Sequence, residues 1–83
     1  MATATIELTK EEIAHRGKEI YYRDIQPQIA PGNEGRVVAI DVQTGAFEMA
    51  DLATDSAAQL RIRVPDAIVF FMRVGYPTMA RIL

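Results

Sequence analysis

The hydrophobic positions of this chain change period along its length, and each change marks an element. Over residues 9–26, Ile13, Gly17, Ile20, Tyr21 and Ile25 recur every three or four positions, with charged side chains between them. That spacing predicts an amphipathic helix with one side turned to a core. Thr9, followed three residues later by Glu12, predicts a capping box at its start, with Leu8 placed to pack back on Ile13. Glu12–Arg16 and Glu19–Arg23 are acid-first pairs on the polar side, each worth about 0.2–0.5 kcal/mol. Gly17 falls on the apolar side, where it costs about 1 kcal/mol relative to alanine. Its missing Cβ predicts that another backbone approaches closely there. Pro27 predicts the end of the helix near Ile25 or Gln26.

Residues 27–35 are turn material, with Pro31-Gly32, Asn33 and Gly35. This segment either holds the helix on its own domain or lets it lie across a second subunit. From residue 36 the period drops to two. Val38, Ile40 and Val42 alternate with Val37, Ala39 and Asp41; Phe47 and Met49 alternate with Ala46, Glu48 and Ala50. Two strands joined by Gln43-Thr44-Gly45 follow, a hairpin in which Gly45 takes positive φ. A weaker helical pattern covers 51–64, with Asp51 or Thr54 as its cap and Ala53, Ala57, Leu60 and Val64 facing inward. Pro65-Asp66 then turns the chain into "AIVFFMRV", apolar on both faces up to Arg73, with one face under helices and the other partly covered.

The predicted fold is therefore α+β, a single domain. A flexible start (1–8) and the helix (9–26) precede a Pro/Gly linker (27–35) and a β-β-α-β core (36–83) with a short C-terminal extension. A right-handed crossover gives a three-stranded, mainly antiparallel sheet in the order second, first, third. The tail is a candidate edge strand at 79–83, interrupted by Gly75 and Pro77.

Asp41 is the acid that breaks the apolar hairpin. At the end of a strand its carboxylate can accept from the N–H groups of the following turn, so Asp41, Thr44 and Gly45 are read as a structural turn. Lone pairs engaged in this way suit a general base poorly.

Composition narrows the classes further. At 83 residues, with 49% hydrophobic against 24% charged, the chain has a real core but a thin margin of stability. It has no cysteine, so no disulfide or thiolate metal site reinforces it. Nine basic and eleven acidic residues leave a net charge of −2, which gives no general attraction for nucleic acid. Residues 51–83 are slightly basic through Arg61, Arg63, Arg73 and Arg81, an excess that solvated surface charge explains. No basic start followed by an apolar core precedes residue 9, and "AIVFFM" is far too short to span a bilayer, so a cytoplasmic location is expected.

Catalytic sets are scarce. His15 is the one histidine and Ser56 the one serine. A Ser–His–Asp arrangement would have to join two helices with no nucleophile elbow near either. Glu48, Asp51 and Asp55 could hold a divalent cation weakly, but helix capping by Asp51 or Thr54 explains the acids more economically. "PGNEG" precedes a strand rather than a helix, the wrong context for cradling phosphate. No catalytic, cofactor-binding or metal-ligating residue is assigned.

"GRVVAIDVQTG" at 35–45 with "PDAIVFFMRVGYP" at 65–77 resembles a group of small uncharacterised bacterial proteins, common in cyanobacteria. Their pattern is a VAIDxxTG hairpin, a short helix ending in PDA and a strand running into RxG. The corresponding residues are Val38 to Asp41, Thr44-Gly45, Pro65 to Ala67, Arg73 and Gly75; "GKEIYYRDIQPQIAPGNEG" is similar to the front of such proteins. The resemblance implies no activity or cofactor. Small proteins of this kind resemble the antitoxin half of two-protein modules, an analogy that transfers no active residue.

The expected role is a non-enzymatic protein–protein interaction module, a homodimer or the companion of a small protein. Its candidate contact residues are Ile13, Gly17, Ile20, Tyr21, Tyr22, Arg73, Tyr76 and Arg81. The alternative is nucleic-acid binding through Arg61, Arg63, Arg73 and Arg81 with Tyr76. Because residues 61 and 63 point about 200° apart on a helix, a single compact patch is not expected from them.

Overall fold

The computed structural model describes residues 8–29 and 31–82, with 76–82 followed along the backbone alone. Residues 1–7, most of the predicted flexible start, lie outside the described residues, as do the side chains of Tyr76 and Arg81.

Helix α1 runs Lys10–Ile20. Its start is the predicted capping box: Glu12 N–H donates to Thr9 Oγ1 at 3.1 Å, and Thr9 N–H donates to Glu12 Oε1 at 2.9 Å. Leu8 and Ile13 both pack against the same core. The α-helical bonding stops at Ile20, earlier than the sequence predicts, yet the chain keeps coiling. Tyr21–Ile25 form a π turn and Gln26–Gln28 a 3-10 turn. Pro27 has no N–H for the carbonyl one α-turn back, and the widened turn sets Gln26 N–H on Tyr21 O instead.

Strand β1 is Val37–Asp41, β2 Phe47–Ala50, β3 Val69–Arg73 and β4 Tyr76–Ile82; helix α2, Ala53–Arg63, connects β2 to β3. The three predicted strands take the predicted order, β2-β1-β3, with antiparallel pairing throughout. Among the described residues the sheet has four strands rather than three. β4 adds to the free side of β3, starting at Tyr76 instead of 79 and carrying Pro77 inside it. An edge strand tolerates this proline because no ladder bond is required on its outer side. Gly75, at φ 80, occupies the turn between β3 and β4, and the register shifts beside it at Met72/Arg73.

Helices lie on both faces of the sheet. On one side Val38, Ile40, Val42, Phe70, Met72 and Val74 meet Ile20, Tyr21 and Ile25; on the other Val37, Ala39, Val69 and Phe71 meet Ala57 and Leu60. This follows from β1 and β3 being apolar on both faces, since a strand buried twice needs a cover on each side. The first helix thus packs on its own sheet, with α1 against β3 and β4 and α2 against β1 and β2. Neither Asp51 nor Thr54 caps α2. The N-cap is Leu52, without a side-chain bond, and Asp51 instead accepts from Arg36 Nε at 3.1 Å.

Candidate interaction surface and the Asp41 turn

Asp41 ends β1 with 1% of its surface exposed. Its Oδ1 accepts from Gln43 N–H at 3.2 Å and from Ile68 N–H at 3.1 Å; its Oδ2 accepts from the Thr44 hydroxyl at 2.7 Å. Thr44 Oγ1 in turn accepts from Ala46 N–H at 3.2 Å, and Gly45 takes φ 84. The Asp41–Thr44–Gly45 grouping read from the sequence is thus a closed turn network. The Ile68 bond is the part that sequence reasoning missed. It ties the hairpin turn to the entry of β3, and nothing local in either segment signals it.

The other polar residues singled out in the sequence are dispersed. His15 stands exposed on α1, whereas Ser56 is buried in α2 on the opposite side of the sheet, its hydroxyl donating to Ala53 O at 2.8 Å. Glu48 pairs with Arg63 at 2.8 Å and Asp51 with Arg36, so these acids are held by separate cations. Among the described residues no group of three or more His, Cys, Asp or Glu is placed to hold a metal ion. Arg73 Nη1 donates to Gly35 O at 2.8 Å, fastening the linker, while Arg63 Nη2 donates to Phe47 O at 2.8 Å. Arg73 faces Val37 across β1, and Phe47 faces Ile40, so these two guanidinium groups work at opposite ends of the sheet.

The candidate contact residues on α1 divide by burial. Gly17, Ile20 and Tyr21 are enclosed by this chain's own sheet and offer nothing to a partner; Ile13 is half-buried against the same core. The Gly17 position is closed by the Phe70 side chain rather than by another backbone. Tyr22 is 42% exposed. Its ring meets Tyr21 edge-on, with centroids 5.1 Å apart and planes at 82°. Burial, and secondarily Tyr22, pushes the Tyr21 phenol above the usual tyrosine range.

Two shallow hollows run along the outward side of α1. One, about 340 Å³, is lined by Glu11, Glu12, His15 and Arg16; the next, about 490 Å³, by His15, Lys18, Glu19, Tyr22 and Arg23. His15 is common to both, so they form one continuous surface. A third groove of about 290 Å³ separates this helix from the Gln43-Thr44-Gly45 turn. Arg23 at its rim is bound by Asp24 at 2.8 Å, which holds the Asp24 carboxyl below the usual range and the Arg23 guanidinium above its own. No helix among the described residues is long and apolar enough to cross a membrane.

Compared with known proteins, the chain matches no family model, no curated protein and no solved structure. Its role is read from the surface just described.

Proposed function

We propose that this chain is a non-enzymatic protein–protein interaction module that works as a homodimer through the outward side of α1. The observation that carries this reading is the self-complementarity of that surface. Glu11 lies in the first turn of the helix and Lys18 in its last, both on the exposed side, with Tyr22 following one turn beyond Lys18. Turned antiparallel about a two-fold axis, the acidic start of one helix meets the basic end of its partner. The same rotation sets the Tyr22 ring of each copy over the hollow of Glu11, Glu12, His15 and Arg16 in the other. An isologous contact of this kind satisfies both halves at once. A braced tyrosine ringed by polar groups has the anatomy of an interface anchor.

Sedimentation equilibrium across micromolar to millimolar concentration tests this. Mass should rise toward two chains, and the association should weaken with added salt. Tyr22→Ala should weaken it by about tenfold, equivalent to about 1.4 kcal/mol. A wild-type chain that stays at one mass throughout rejects the homodimer.

A further inference from the structure

Among the described residues, β2 forms one border of the sheet. In an antiparallel ladder alternate residues turn their N–H and C=O groups toward one neighbour and then the other. Asp41 N–H donates to Ala46 O at 2.8 Å on the β2 side, and Val42 N–H donates to Ile68 O at 3.1 Å on the β3 side. Even-numbered residues of β1 therefore bond toward β3. Val38 and Ile40 stand opposite Met49 and Phe47, so those two residues turn their backbone groups outward along the free border. Such a row is a template for another strand. Phe47 O on that border is the carbonyl that accepts from Arg63 Nη2, while Arg63 Nε holds Glu48 Oε2 at 2.8 Å. Arg63 ends α2, which packs across β1 and β2 and so aims the guanidinium at the border.

We propose that Arg63 closes the free edge of β2 against strand addition by a second copy of this chain. Self-pairing is what the register of this edge offers. With two β2 strands antiparallel about a two-fold axis, Phe47 of each copy would exchange both backbone hydrogen bonds with Met49 of the other. Every outward group of those two residues would be used. Arg63 occupies one acceptor that this pairing needs. Glu48 would also stand directly opposite its own counterpart, a repulsive cross-strand pair. The remaining border is blunted differently, since β4 carries Pro77, which has no N–H to offer. Closure has a consequence for assembly: two self-complementary surfaces on one chain would link copies into open-ended rows.

The test uses the full chain carrying Tyr22→Ala, so that the α1 surface does not contribute. Arg63→Met keeps the aliphatic stem and removes the guanidinium; Glu48→Gln removes the opposed charges. The Arg63→Met/Glu48→Gln chain should gain mass with concentration in sedimentation velocity. Hydrogen exchange at the Phe47 and Met49 amides should slow by about tenfold between micromolar and millimolar protein, as burial in a new ladder requires. The chain with both residues intact should show neither change. Arg63→Met alone, a single substitution at an exposed position, should show the slowing to a smaller extent. Unchanged sedimentation together with unchanged exchange at those two amides in both variants overturns the proposal.

Discussion

Asp41 Oδ1 accepts a hydrogen bond from the Ile68 N–H at 3.1 Å, across 27 positions of sequence. The same oxygen also serves Gln43 N–H, so one buried carboxylate fixes both the β1–β2 turn and the entry to β3. Asp41→Ala strands two backbone donors and the Thr44 hydroxyl, and is expected to cost about 3 kcal/mol. Asp41→Asn retains one acceptor oxygen for the two amides while its NH2 faces the Thr44 hydroxyl, so about 1 kcal/mol is expected. Urea denaturation of the two variants checks the ranking. Equal stabilities for Ala, Asn and wild type would show that the network contributes nothing.

Gly17 sits against Phe70 of β3. A Cβ at this position would stand 2.9 Å from the Phe70 Cβ and closer still to its ring, which is fully buried. Alanine gains about 1 kcal/mol in helix propensity, but overpacking a closed core costs about 1–3 kcal/mol. Gly17→Ala is therefore expected to be destabilising despite the better helix former. Phe70→Ala removes Cγ and the ring, the nearest atoms, so the double variant should lose less than the sum of the singles in a thermal melt.

What the sequence made legible was local. The capping box at Thr9 and Glu12, the positive φ of Gly45 and the inward stripe of Ala57 and Leu60 each depend on neighbours within a turn or two. The strand order followed because a helix of fixed length must carry the chain from β2 to β3. What stayed hidden was long-range. Asp51 has the chemistry of a helix cap, yet Arg36, fifteen residues away, draws its carboxylate and leaves Leu52 at the N-cap position. The Ile68 amide bonds Asp41 only because β3 lies beside β1. The start of β4, though not the edge strand itself, was obscured by Gly75 and Pro77, residues that argue against a strand interior but suit the turn and border that they occupy.

The capping box has a pH signature. Hydrogen bonds from Thr9, backbone first and hydroxyl second, hold the Glu12 carboxyl below the usual glutamate range. A depressed folded value means that its contribution is present above the unfolded value and fades as pH falls through the folded one. The melting temperature of wild type should thus fall with acid more steeply than that of Glu12→Gln. Parallel pH profiles would remove the carboxylate from the account of the helix start. Thr9→Ala, which also loses the hydroxyl, is expected to cost about 1 kcal/mol at neutral pH.

The central claim is that two copies meet through α1, antiparallel, with each Tyr22 over the other copy's His15. An isotope-filtered NMR experiment on a mixed sample, one copy labelled and the other not, reads that contact directly. Cross-peaks between the Tyr22 ring of one copy and the His15 and Glu11 side chains of the other are predicted. Intermolecular cross-peaks confined to residues of another surface, or none at millimolar protein, would contradict it.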